Sequence, residues 1–213
     1  TQVLAMGGLV EQQVKTALAG LSNGNSAEID QVIAQDRDIN RMEIELDQAC
    51  SNIIAKRQPA AGDLRMVMSV IKTITDLERI GDEAKKIAKA ARRLHNNSAN
   101  YTPKVDLRFT STQALEMLRK ALDSFARVDP SAAADILLQD KEVDAAFKGT
   151  IRQLITFMME DPRTISNSLD VLFIAKAIER IGDHAKNISE YVVYMAHGKD
   201  VRHAKSTNAT DPK

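Results

Sequence analysis

Tryptophan is absent from this 213-residue sequence, cysteine occurs once, and aromatic residues make up only 4%. Glycine (9) and proline (5) are scarce as well. Sheets draw on aromatic and turn residues, so these absences lean toward an all-α fold. The lone Cys50 cannot close an internal disulfide, and nothing points to an oxidising compartment. No apolar run approaches the roughly 18–20 residues that cross a bilayer, and no basic-then-apolar leader opens the chain. An excess of one charge is missing too, since 29 Lys and Arg face 29 Asp and Glu. Zero net charge removes the general electrostatic drive toward nucleic acid or an anionic membrane. The chain opens on Thr1 rather than Met, which reads as a trimmed N-terminus with a short upstream segment missing. Together these features predict a soluble cytoplasmic protein.

An apolar content of 44% is enough for a core. Apolar residues recur at three- and four-residue steps along nearly the whole chain, the signature of amphipathic helices. The first helix carries Val3, Met6, Val10, Val14, Ala17, Leu18 and Leu21 and ends in the turn 22–26. The second runs through Ile29, Val32, Ile39, Leu46 and Ile54 to Gln58-Pro59, where proline restricts the preceding residue. A third starts with Gly62-Asp63 as its cap and reaches about Leu94, followed by a linker over 95–103. Helix four covers about Val105 to Val128, helix five ends near Glu160, and helix six ends near Ala196. Asp129-Pro130 and Asp161-Pro162 mark the two turns between them.

Those six helices fall into two copies. Residues 14–36 align without a gap on 118–140, with Ala17/Ala121, Leu18/Leu122, Gln35/Gln139 and Asp36/Asp140 identical. Further on the offset is 101, and Glu78-Arg79-Ile80-Gly81-Asp82 recurs as Glu179-Arg180-Ile181-Gly182-Asp183. Such internal repetition predicts two tandem pseudo-symmetric three-helix bundles, 1–97 and 98–203, with a disordered tail over 204–213.

Acidic residues interrupt the apolar stripes. At 100° per residue, Glu78 and Asp82 share a helix face with Leu64, Val67, Ile71 and Ile74. Glu179 and Asp183 continue the stripe of Ile165, Leu172 and Ala175. Asp36, Asn40, Glu43 and Asp47 share a face of helix two, and Asp140 and Asp144 share one of helix five with Phe147, Ile151 and Met158. If each helix pair folds back about its proline, Asp36 lies level with residue 82 and Asn40 with residue 78. Likewise Asp140 lies level with residue 184 and Asp144 with residue 180. Carboxylates grouped on a packing face repel one another unless a cation neutralises them. An all-oxygen set suits hard cations such as Mg, Mn, Ca or ferric iron, and suits a structural Zn site less well. Gly81 and Gly182 would admit a neighbouring helix or an ion. The competing reading is an ordinary solvated face, with ion pairs to Arg79, Arg180, Lys85 and Lys186.

Other features carry less. No His has a Glu three residues before it, which argues against a di-iron bundle. His184 reads as exposed, Cys50 as a small core residue, the eight Met as core filler, and Arg92-Arg93 as complements to a helix C-terminus. No Walker loop, nucleophile elbow or Ser/His/Asp arrangement is visible.

The doubled Glu-Arg-Ile-Gly-Asp motif is accompanied by Lys56-Arg57-Gln58-Pro59, Asp63-Leu64-Arg65 and Met159-Glu160-Asp161-Pro162-Arg163-Thr164. With Met6-Gly7-Gly8-Leu9-Val10-Glu11 near the start, these resemble the PhoU family over nearly the whole chain. The resemblance implies two similar three-helix bundles whose Glu/Asp-x-x-x-Asp motifs bind metal clusters in some members. It makes Glu78, Asp82, Glu179 and Asp183 the first candidate ligands, with Asp140 and Asp144 fitting the same pattern. Asp36 and Asn40 depart from it by ending in an amide, and Glu43 and Asp47 extend that set by a turn. The implied cofactors are multivalent ions, whether iron, manganese, magnesium, calcium or zinc. The implied role is a non-enzymatic negative regulator of phosphate uptake and of the phosphate-starvation response. Its partners would be the phosphate ABC transporter ATPase, the sensor histidine kinase PhoR and a second copy of the chain, with peripheral association at membrane complexes and no nucleic acid. The alternative is a metal-dependent phosphoester hydrolase using the carboxylates; a third reading is a purely structural bundle with no bound ion.

Overall fold

The computed structural model describes residues 1–97 and 102–201. Six α-helices account for most of them: α1 (Gln2–Asn23), α2 (Ser26–Arg57), α3 (Ala61–Asn96), α4 (Arg108–Arg127), α5 (Ala133–Glu160) and α6 (Ile165–His197). No strand occurs among the described residues. Part of the anticipated linker and all of the anticipated disordered tail lie outside the described residues.

Local chemistry sets the boundaries. Gly24 takes φ 70, and its N–H closes α1 on the Gly20 carbonyl. Asn25 caps α2 by accepting from the Ala27 N–H. Both Asp-Pro pairs open a 3₁₀ turn, because the Asp129 and Asp161 carboxylates accept from the N–H groups of Ser131 and Arg163. The third helix differs from its sequence reading. It begins at Ala61 after an uncapped Ala60, and Asp63 sits inside the first turn, where a negative charge favours the helix dipole. The fourth begins three residues later than Val105, at Arg108.

Helices α1–α3 form one bundle and α4–α6 the other. α3 and α6 pack on each other as the central pair, each with its own two outer helices. Ile74, Leu77, Ile80 and Ile87 of α3 and Ile174, Ile178, Ile181 and Ile188 of α6 are essentially inaccessible and belong to one continuous core. The bundles therefore share an apolar interior, and burying these side chains removes both helices from water on several sides. Cys50 is buried as anticipated. The methionines divide: Met6 and Met117 fill the core, whereas Met66, Met68 and Met159 are exposed. The last three lie toward the α2–α3 and α5–α6 turns, where the apolar stripe runs past the end of the packing.

Candidate functional site

The acidic residues anticipated on α2 and α3 face one another across the notch between those helices without converging on a common point. Asp36 is 4% exposed and accepts from Lys85 Nζ at 2.6 Å. Glu78 is half-buried, and its pKa is raised by burial, by Asp82 and by Glu43, with a further contribution from Asp36. Burial also raises Glu43, reinforced by Asp47 and Asp82. Asn40 belongs to the same face, and its Oδ1 is buried with no hydrogen-bond partner. Glu43 and Asp47 line a cavity of about 200 Å³ beside Ile74 and Thr75. Among the described residues, no cation stands within salt-bridge distance of Glu43, Asp47 or Glu78.

The second copy repeats the framework. Asp140, 6% exposed, accepts from Lys186 Nζ at 2.6 Å. Burial raises the Asp140 pKa, with Asp183 and Asp144 adding to it against the pull of Lys186. Glu179 is raised by burial and by Asp183 and Asp144, yet Lys176 Nζ bonds both its oxygens at 2.6 and 2.7 Å. Lys176 also lies 5.2 Å from the Phe147 ring centroid. Thr75 occupies the equivalent position in the first copy, so Glu78 has no such lysine. The first set, five carboxylates against Lys85, is thus more acidic than the second, four carboxylates against Lys176 and Lys186.

Asp36, Asp140 and Glu179 are buried, whereas the other carboxylates sit on half-exposed or exposed flanks. Asp82 and Asp183 keep 43% and 42% of their side chains exposed. Leu64 is exposed and Val67 and Ile71 half-buried, so the stripe they share with Glu78 is a rim. As placed, the carboxylates form no coordination shell. Among the described residues no three Asp, Glu, His or Cys side chains converge closely enough to hold an ion, and lysine ammonium groups stand against Asp36 and Asp140. The two repeated glycines differ in how closely their neighbours approach. A Cβ on Gly81 would lie 3.1 Å from both Gln13 Oε1 and Ile39 Cδ1, and one on Gly182 would lie 3.4 Å from Met117 Cε.

The seam between α3 and α6 holds polar residues that sequence reading missed. His184 is buried, not exposed: its Nδ1 lies 2.6 Å from Asp76 Oδ1, which also accepts from Asn187 Nδ2. Glu83, 2% exposed, meets Lys86 Nζ at 2.9 Å and Arg180 Nε at 3.2 Å. Arg93, in the last turn of α3 as anticipated, bonds Asp170 across the seam, and Arg92 pairs with Asp30. Periodicity alone could have placed Asp76 and Glu83 seven residues apart on one face; nothing in it marks that face as the contact between bundles.

The PhoU domain pattern matches residues 3–91 and 107–192. The phosphate-specific transport system accessory protein PhoU of Serratia marcescens is 50% identical over 204 residues, covering 95% of this chain and 83% of the relative. That of Escherichia coli K12 is 48% identical over 204 residues, covering 95% and 84%. The crystal structure of PhoU from Pseudomonas aeruginosa superposes with a TM-score of 0.89 at 45% identity, over 93% of this chain and 95% of that one. The phosphate transport regulatory protein PhoU of Streptococcus pneumoniae gives 0.84 at 28% identity, over 94% of each.

Proposed function

This chain belongs to the PhoU family, and on that premise we propose that it is a non-catalytic adaptor restraining phosphate uptake and the phosphate-starvation response. In this reading it works in the cytoplasm and links the ATPase of the phosphate ABC transporter to the sensor histidine kinase PhoR. Its relatives are accessory proteins of the phosphate-specific transport system, which supports the transport role. No helix among the described residues is long and apolar enough to cross a membrane, which is consistent with a peripheral partner of membrane complexes. Exposed apolar side chains toward both hairpin ends, Leu64, Met66 and Met68 in one copy and Met159, Leu169 and Phe173 in the other, are suited to protein contacts. A homodimer belongs to the same reading, and a monomer mass by light scattering at working concentration would remove it.

The carboxylate rows are proposed to hold multivalent cations. The first set would use Glu78, Asp82, Glu43 and Asp47 with Asp36 and Asn40, and the second Glu179, Asp183, Asp140 and Asp144. Support comes from the raised pKa values and from the orphaned Asn40 oxygen. Binding would require Lys85 and Lys186 to swing away and the carboxylates to rotate inward. A bound ion supplies positive charge and links α2 to α3, or α5 to α6. Metal analysis of protein purified without chelator tests this. Content should fall when Glu78, Asp82, Glu179 and Asp183 are changed to Ala, and equal content would defeat the assignment.

The adaptor role is tested by pull-down from phosphate-replete cells with the intact protein. The ATPase and the kinase should both be recovered. Recovery of neither would overturn the role.

A further inference from the structure

At one end of the α3–α6 seam lies a cavity of about 310 Å³ that differs in character from the acidic notches. Lys86, Lys89 and Arg93 face it from α3, and Lys176 and Arg180 from α6. Several of these cations are held in place. Glu83, the most deeply buried charged group of the lining, fixes Lys86 and Arg180. Asp170 fixes Arg93, and Glu179 fixes Lys176. Among the described residues no carboxylate stands within salt-bridge distance of Lys89, so the cavity keeps excess positive charge after its internal pairs are formed. Phe173 borders it with 59% of its surface exposed.

The duplication shows that this cluster is not a by-product of the fold. The 101-residue offset relates Lys86 to Asn187, Lys89 to Glu190, Arg93 to Tyr194 and Thr75 to Lys176. At the other end of the seam those positions are neutral or acidic, and Lys72 lies over the rings of Tyr191 and Tyr194 instead. The duplicated scaffold therefore carries these cations at one end of the seam and not at the related positions of the other.

We propose that this cavity binds a small phosphate-bearing anion, either inorganic phosphate or the phosphate groups of a small metabolite. Cations converging from two helices on a compact concavity match a multivalent oxyanion, whose oxygens can accept from several donors at once. The volume is at the lower end for ligand sites, enough for a phosphate or diphosphate with a small organic part and too small for a folded segment of a partner. Phe173 offers an apolar platform for that organic part. Glu83 opposes an anion by its own charge, and its contribution is to hold Lys86 and Arg180 at the cavity. The proposal does not rest on the metal and adaptor readings, although Glu179, which holds Lys176 here, and Phe173 enter those readings as well.

The test is calorimetry on the intact protein at fixed chloride concentration, with inorganic phosphate, pyrophosphate, ADP and a short poly-glutamate peptide as separate titrants. Saturable binding of one phosphate ligand per chain is expected. Changing Lys86→Gln and Lys89→Gln together should weaken it by about tenfold or more, whereas Lys72→Gln at the other end of the seam should leave it unchanged. Lys86 and Lys89 are exposed, so the double variant should keep its fold, which circular dichroism checks. Binding of inorganic phosphate assigns the free ion, and binding of pyrophosphate or ADP alone assigns a phosphorylated metabolite. The proposal is overturned if none of the three binds saturably at millimolar concentration, if the double variant binds equally well, or if only the peptide binds.

Discussion

Lys85 reaches across from α3 to Asp36 on α2, with Nζ 2.6 Å from Oδ2, and Lys186 repeats the contact with Asp140 at 2.6 Å in the second copy. Both aspartates are nearly inaccessible, and both lysines are about three-quarters buried. Each pair ties an outer helix to its central helix. Removing the lysine leaves a carboxylate poorly solvated and unpaired. Lys85→Met and Lys186→Met should each lower stability by about 1–3 kcal/mol, less than for a fully buried pair because the lysines reach water. Thermal melts check this, and an unchanged midpoint would mean that solvent replaces the lysine.

The acids without partners should behave in the opposite sense. Burial, reinforced by Asp82 and Glu43, raises the Glu78 pKa above its unfolded value. The native state then holds more protons than the unfolded state in the window just above pH 4.5, so this group's contribution to stability falls as pH rises through that window. Glu78→Gln should therefore stabilise the metal-free protein at pH 7.5 by up to about 1 kcal/mol. The gain should vanish near pH 4. Glu179→Gln should gain less, because it gives up the charge of a carboxylate already bonded to Lys176. Denaturant melts at the two pH values distinguish these outcomes.

The two repeated glycines are predicted to respond differently to alanine. Helix interiors prefer Ala to Gly by roughly 0.5–1 kcal/mol. At Gly182 the added Cβ meets Met117 at ordinary contact distance, so Gly182→Ala should raise stability by about that amount. At Gly81 it would press on Gln13 and on Ile39 at 3.1 Å. Gly81→Ala should be neutral or destabilising. Equal stabilisation of both variants would show that Gln13 and Ile39 yield freely.

Across the seam, Asp76→Ala would leave the buried His184 Nδ1 without its partner, at a cost of about 1–3 kcal/mol. Asp76→Asn keeps an acceptor for His184 and should cost less. Comparing the two by chemical denaturation separates the hydrogen bond from packing.

Much of this arrangement was legible in the sequence because it is periodic or repeated. The six helices follow from apolar spacing, and the doubling follows from the 104- and 101-residue offsets. Hairpin register about Pro59 and Pro162 placed Asp36 and Asn40 beside Glu78 and Asp82, and Asp140 and Asp144 beside Glu179 and Asp183. What stayed hidden depends on which faces two bundles turn to each other. Asp76, Glu83, Arg93, Asp170 and His184 look like surface charges until α3 and α6 are packed together, and His184 was misread for that reason. The cross-helix role of Lys85 and Lys186 was hidden too, since a lysine one turn from an acid reads as a local ion pair.

The proposed function has one non-catalytic chain connecting a transporter ATPase with a sensor kinase. Mixing the purified chain with the ATPase subunit and the cytoplasmic part of the kinase, and following sedimentation velocity, tests it most directly. The ATPase and the kinase should sediment together with the chain as one species and separately from each other when the chain is omitted. Sedimentation of the chain apart from both partners would contradict it.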